Sequence, residues 1–172
     1  MLLNCSKEMK TKIYEFDPVV YPFPLLVCKY VPGVSAKELS ERFNQVIDRR
    51  TIQVLTEDDL LAFPTLTAKT VCVTDKVTDE MKYLVILYRP KKIRWGVVSH
   101  ESLHVLNMLA DWLGFRPPAV CDDEPHAYFI EWVANCIGSV IDGYPEKMMK
   151  GKLLKFEDYA TETNQSNAGG QE

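Results

Sequence analysis

The stretch WGVVSHESLHVLNMLADWLG, Trp95 to Gly114, decides how the rest of the chain is read. Val98, Val105, Leu106, Leu109 and Leu113 recur at helical spacing and predict a helix from Trp95 to Leu113 with its apolar side on a sheet. Gly114 stands where that helix needs a left-handed C-cap. His100, His104, Asn107 and Asp111 follow at intervals of four, three and four, so they share one polar stripe, a wall of a site. Within it His100-Glu101-Ser102-Leu103-His104 is H-E-x-x-H. Residues four apart on a helix sit one turn above each other, so both imidazoles can reach one metal ion while Glu101 lies beside it. That spacing suits Zn2+ and an activated water. The chain has only three histidines, and random order would give this pentad in about 0.3% of shuffles, which makes chance a weak rival.

Working outward, residues 1–160 are expected to form a single domain, long enough to bury a substantial core. The net charge is −4, and Lys91, Lys92 and Arg94 make only a short basic cluster, so no nucleic-acid partner is expected. The five cysteines are odd in number, scattered and without a C-x-x-C pair, which argues against a disulfide framework or a zinc ribbon and for a reducing compartment. Residues 1–12 lack the apolar core of a signal peptide, and no apolar run approaches the ~18 residues that cross a bilayer. A soluble, cytoplasmic protein with no membrane partner is the expectation.

On the N-terminal side, Ile13 to Phe16 and Leu25 to Val31 predict strands, separated by Pro18, Pro22 and Pro24. Ser35-Ala36-Lys37-Glu38 has the form of a capping box, and predicts a helix to about Asp48 with Leu39, Phe43 and Val46 on its apolar side. Ile52 to Leu55 suits a short strand and Glu57 to Leu61 one helical turn before Pro64. Lys69 to Thr74 and Met81 to Arg89 predict an antiparallel hairpin, its second arm apolar enough to be buried on both faces.

On the C-terminal side, Phe115 to Cys121 is a loop carrying Pro117-Pro118, and Asp122-Asp123 open a helix that tolerates Pro125 in its first turn and runs to about Ile141. Its many apolar residues predict packing against the first helix, and Gly143-Tyr144-Pro145 end it. A basic stretch (Lys147, Lys150, Lys152, Lys155) follows, and residues 161–172 have the composition of a disordered tail.

A catalytic zinc takes three protein ligands and a water, so a third ligand is required. Glu124 lies twenty residues after His104, beyond a turn that lets two helices pack side by side. His126 and, less so, Asp123 compete. Residues 124 and 126 point about 200° apart on a helix, so one being a ligand nearly excludes the other.

The run His-Glu-x-x-His, a short Gly-containing loop, then Asp123-Glu124-Pro125-His126-Ala127-Tyr128 resembles small metallopeptidases encoded in bacteriophage and prophage genomes. Those carry an acidic Asp-Glu-x-x-Ala-Tyr motif at the start of the following helix. More broadly it is similar to the gluzincin group of zinc peptidases, in which two histidines and a downstream glutamate bind zinc. The resemblance spans residues 97–141. It implies an α+β, zincin-like fold: a small twisted, mostly antiparallel sheet, an active-site helix and a second helix bringing Glu124. It favours Glu124 over His126 and implies a zinc-dependent peptidase acting on a peptide or protein substrate, with Glu101 as general base. Tyr128 stands where thermolysin-like gluzincins keep an Asp that orients a ligand histidine, a role Asp111 or Glu131 could fill. Tyr128 or Arg116 could supply an oxyanion donor, though Tyr128 suits a core position equally. The rival expectation is a non-catalytic binding or structural protein, such as a virion component, whose metal holds two helices together; a purely structural zinc has no use for Glu101. Another divalent metal, Fe2+ or Mn2+, is chemically possible at such ligands. The sequence is silent on oligomeric state.

Overall fold

The computed structural model describes residues 10–61, 66–114 and 123–145, together with the backbone of 152–154. The expected loop at 115–121, with Arg116 and Asp122, and the expected tail at 161–172 lie outside the described residues. The elements are strands β1 (Lys12–Phe16) and β2 (Leu25–Lys29), helix α1 (Ser35–Arg42), strands β3 (Phe43–Val46) and β4 (Ile52–Val54), and a one-turn α2 (Glu57–Leu60). There follow strands β5 (Ala68–Asp75) and β6 (Met81–Leu87), a 3₁₀ turn at Pro90–Lys92, helices α3 (Trp95–Leu113) and α4 (Glu124–Asp142), and strand β7 (Lys152–Leu154). The class is α+β, with one mixed sheet in the order β4-β3-β5-β6-β2-β1-β7.

The sheet is built around β5 and β6, the predicted hairpin, which pair antiparallel from Ala68↔Leu87 to Thr74↔Met81. Beside them β2 runs parallel to β6, Leu25↔Tyr83 through Lys29↔Leu87. A strand in that place is covered on both faces, and the run Leu25-Leu26-Val27-Cys28 is fully buried. Alternation sends Leu25, Val27, Ala68, Cys72, Val85 and Leu87 to one face, where α3 and α4 cover them. Leu26, Cys28, Val71, Val73, Leu84 and Ile86 face the other side, under Ala36 and Leu39 of α1 and Leu55 and Leu60. Three layers result, with α3 and α4 packed side by side on the first face.

Helix α1 departs from its predicted length. It ends at Arg42 instead of continuing to about Asp48, and Phe43 and Val46, expected on a helix face, belong to β3. The cause is long-range. The Arg42 guanidinium donates from Nε (3.1 Å) and Nη2 (2.9 Å) to Asp75 Oδ2, and its carbonyl accepts the Lys76 N–H at 2.9 Å. The next residues pair Phe43↔Asp75 to Gln45↔Val73. A buried ion pair and a ladder on β5 override what the local sequence prefers. The capping box is also redeployed: Val34 is the N-cap and has no side-chain cap. Ser35 Oγ accepts the Val31 N–H at 2.7 Å and lies 2.7 Å from Thr11 Oγ1, while Glu38 Oε2 accepts the Thr11 N–H at 3.0 Å. The pair ties the helix to the chain entering β1.

Helix α3 spans Trp95 to Leu113 and ends on Gly114 at φ 72°, as predicted. Val98, Val105, Leu106 and Leu109 are buried against the sheet, but Leu113, expected among them, is exposed one turn beyond the last core contact. Helix α4 carries Pro125 in its first turn and ends on Gly143 at φ 88°. Among the described residues no helix is long and apolar enough to cross a membrane.

Candidate metal centre

Helix α3 lies over β5 with Val98, Ser102, Val105 and Leu109 inward, so residues a third of a turn away emerge at the side of the helix. His100 and His104 are there, exposed and one turn apart, with their rings edge-to-face at 88°. Their Nε2 atoms are 3.0 Å apart. Two nitrogens about 2.0–2.1 Å from one tetrahedral ion are separated by about 3.3–3.4 Å, so the pair needs to open by only a few tenths of an ångström to share a Zn2+. Without an ion, one ring must donate to the other. Among the described residues neither ring has another hydrogen-bond partner.

Glu101, between them in sequence, points inward and is only 5% exposed. Its Oε2 accepts a hydrogen bond of 2.5 Å from Thr70 Oγ1 on β5, within the short range of charge-assisted O–H···O bonds. Among the described residues Oε1 has no such tether. Thr70 was not predicted, because its value depends on which β5 residue comes to lie under Glu101. The two histidines and Glu101 line a cleft of about 460 Å3, whose opposite wall is Leu66 and Thr67 with the first residues of β5, Ala68 to Thr70.

That wall offers main chain as well as side chains. The Tyr88 N–H donates to the Thr67 carbonyl at 3.0 Å, so by the alternation of an antiparallel ladder the odd-numbered residues of β5 bond to β6. Ala68 and Thr70 therefore turn N–H and C=O to the other edge. Strand β3 covers that edge only from Val73 to Asp75. Among the described residues nothing pairs with Ala68 or Thr70 there, and both line the cleft.

The remaining expected residues are positioned as follows. Asp123 and Glu124 stand at the start of α4 with exposed side chains. His126 is half-buried and lines a separate apolar hollow of about 220 Å3 with Tyr21, Leu106, Leu109 and Pro125. Leu106 and Leu109 belong to the sheet-facing side of α3, so His126 is turned from the stripe that carries His100 and His104. Asp111, Tyr128 and Glu131 are exposed, Tyr128 by 66%, and none bonds to either imidazole. Tyr128 is thus a surface residue and not a core one. Among the described residues no three His, Cys, Asp or Glu side chains form a group able to hold a metal ion.

Among the described residues no reactive thiol stands at this cleft. Cys72 of β5 and Cys136 of α4 are buried free thiols, and burial pushes each up to about 12. No protein-family model, curated protein or solved structure matches the chain.

Proposed function

We propose that this chain is a zinc-dependent metallopeptidase of zincin-like, gluzincin-like type. His100 and His104 hold the ion, with Glu124 from the first turn of α4 as third ligand and His126 as the alternative. The observation that carries the reading is the 3.0 Å convergence of two imidazole nitrogens beside the buried carboxylate of Glu101, all in one cleft. The ion supplies Lewis acidity toward a water and the scissile carbonyl. Glu101 is the general base: with Oε2 fixed by Thr70, Oε1 takes a proton from water and delivers it to the leaving amine nitrogen. The substrate is an extended polypeptide segment adding to the open edge of β5, where Ala68 and Thr70 bond its main chain without regard to its side chains.

A second reading is a binding or structural protein with a metal-stabilised site. It is favoured by one fact: among the described residues only two ligands meet. Metal content and proteolysis separate the two. The peptidase reading expects about one zinc per chain in wild type and in Glu101→Gln, with cleavage of an unfolded protein lost only in the variant. Cleavage by neither, across a broad peptide library, sinks it in favour of the second reading. Glu124→Ala is expected to shed zinc while His126→Ala retains it; the reverse reassigns the third ligand.

A further inference from the structure

At one end of the sheet, the strand ends carry cations. Lys12 opens β1, Lys29 closes β2, and Arg89, Lys91 and Lys92 follow β6. The antiparallel register sets Lys12 directly opposite Lys29, a like-charge cross-strand pair that opposes folding. Burial, together with the charge of Lys12, holds the Lys29 ammonium below the usual lysine range. Lys29, Arg89, Lys91 and Lys92 line a hollow of about 500 Å3 whose floor is Pro90 and Ile141. Among the described residues none of the five cations makes an ion pair, although the whole chain has a net charge of −4. Asp142, the acidic residue nearest in sequence to Ile141, accepts from the Tyr144 hydroxyl at 2.9 Å and lines a neighbouring hollow. A concave site with so many cations left without counter-ions is arranged for an anion supplied from outside.

Its position narrows the class of anion. Thr67 lines the histidine cleft, and its carbonyl accepts the N–H groups of both Tyr88 (3.0 Å) and Arg89 (3.3 Å). One hydrogen bond thus separates the Thr67 wall of the cleft from Arg89 of the hollow. Among the described residues no aromatic side chain lines it, so they offer nucleic-acid bases no stacking platform there. Three flexible lysines and an arginine suit carboxylates spaced irregularly along a chain. We propose that this hollow binds an acidic stretch of polypeptide, the continuation of a substrate whose neighbouring segment lies along β5. The placement of the substrate rests on the peptidase reading, while the anion site itself does not.

The test uses the full chain bearing Glu101→Gln, so that bound peptide is not cut. Fluorescence anisotropy compares a labelled extended peptide flanked by a run of Asp and Glu with the same peptide flanked by Asn and Gln. The acidic peptide is expected to bind about tenfold more tightly, with an advantage that shrinks as salt is raised. The advantage is expected to vanish in a Lys91→Glu/Lys92→Glu variant, whose two exposed side chains make no ion pair among the described residues. Equal affinity for both peptides, or an advantage that survives the double charge reversal, overturns the proposal. So does a DNA oligonucleotide of equal charge that outbinds the acidic peptide, which would make the site one for nucleic acid. Cleavage of the neutral peptide by wild type is followed in parallel. If cleavage is absent while charge-dependent binding persists, the peptidase reading fails and the anion site stands.

Discussion

Two hydroxyls on neighbouring strands have opposite consequences. Thr70 Oγ1 has a partner in Glu101, and its removal leaves the proposed base free to swing within the cleft. Thr70→Val is therefore expected to lower kcat about 10–100-fold, as loss of an outer-shell hydrogen bond typically does, while Thr70→Ser restores most of it. An effect confined to KM, or a serine variant as poor as valine, would show that Thr70 merely lines the wall. Tyr83, by contrast, is 1% exposed, and its hydroxyl has no hydrogen-bond partner among the described residues. A buried donor without an acceptor costs about 1–3 kcal/mol, so Tyr83→Phe is expected to leave the fold unchanged or stabilise it by about 1 kcal/mol. Urea midpoints measure this, and a clear loss of stability would mean that a bound water satisfies the group. At this scale the H-E-x-x-H spacing was legible because helical geometry is local, whereas Thr70 and Tyr83 were not, since each depends on what a part of the chain distant in sequence brings beside it.

At the scale of elements, α3, α4 and the β5–β6 hairpin were legible because periodicity, a glycine cap and an apolar run bounded by turn residues state them locally. The parallel β2–β6 pairing and the switch from α1 to β3 were not, because partners distant in sequence decide both. The switch turns on Arg42 and Asp75, with side chains 5% and 0% exposed. Asp75→Ala leaves a buried guanidinium without its carboxylate and is expected to cost about 3–5 kcal/mol, read as a fall in the denaturant midpoint. A loss near zero would show that the register of β3, and not the ion pair, ends the helix. A second buried cation ties β6 to β1: Lys82 Nζ lies 2.8 Å from Glu15 Oε2 and 3.1 Å from Glu80 Oε2. Burial opposes its charge, but the two carboxylates outweigh burial and raise it above the usual value of 10.5. A raised folded-state value means stability present below pH 10.5 and lost as pH climbs through the folded value. The stability difference between wild type and Glu15→Gln is accordingly expected to hold steady up to about pH 10 and to shrink above it; a difference independent of pH to 11.5 would contradict this.

For the whole molecule, the decisive question is what a metal ion contributes to the fold. Helices α3 and α4 are held to the sheet and to each other by Val98, Val105, Leu109, Phe129, Val133 and Ile137, all at most 3% exposed, while His100 and His104 stand outside that core. Small zinc-dependent domains, which lack such a core, unfold when the metal is withdrawn. Here chelation is expected to leave a cooperatively folded protein with unchanged far-ultraviolet circular dichroism and to abolish only the proposed hydrolysis. Restoring zinc should raise Tm by mass action, since an ion that binds only the folded state adds about 4 kcal/mol at a thousandfold excess over its Kd. The same titration on a His100→Ala variant should give little or no rise, because one of the three proposed ligands is gone and an exposed imidazole with one carboxylate holds the ion far more weakly. Chelation that melts the α3–α4 layer would reverse the order of dependence, making the ion a structural tie and the cleft beside it a binding surface.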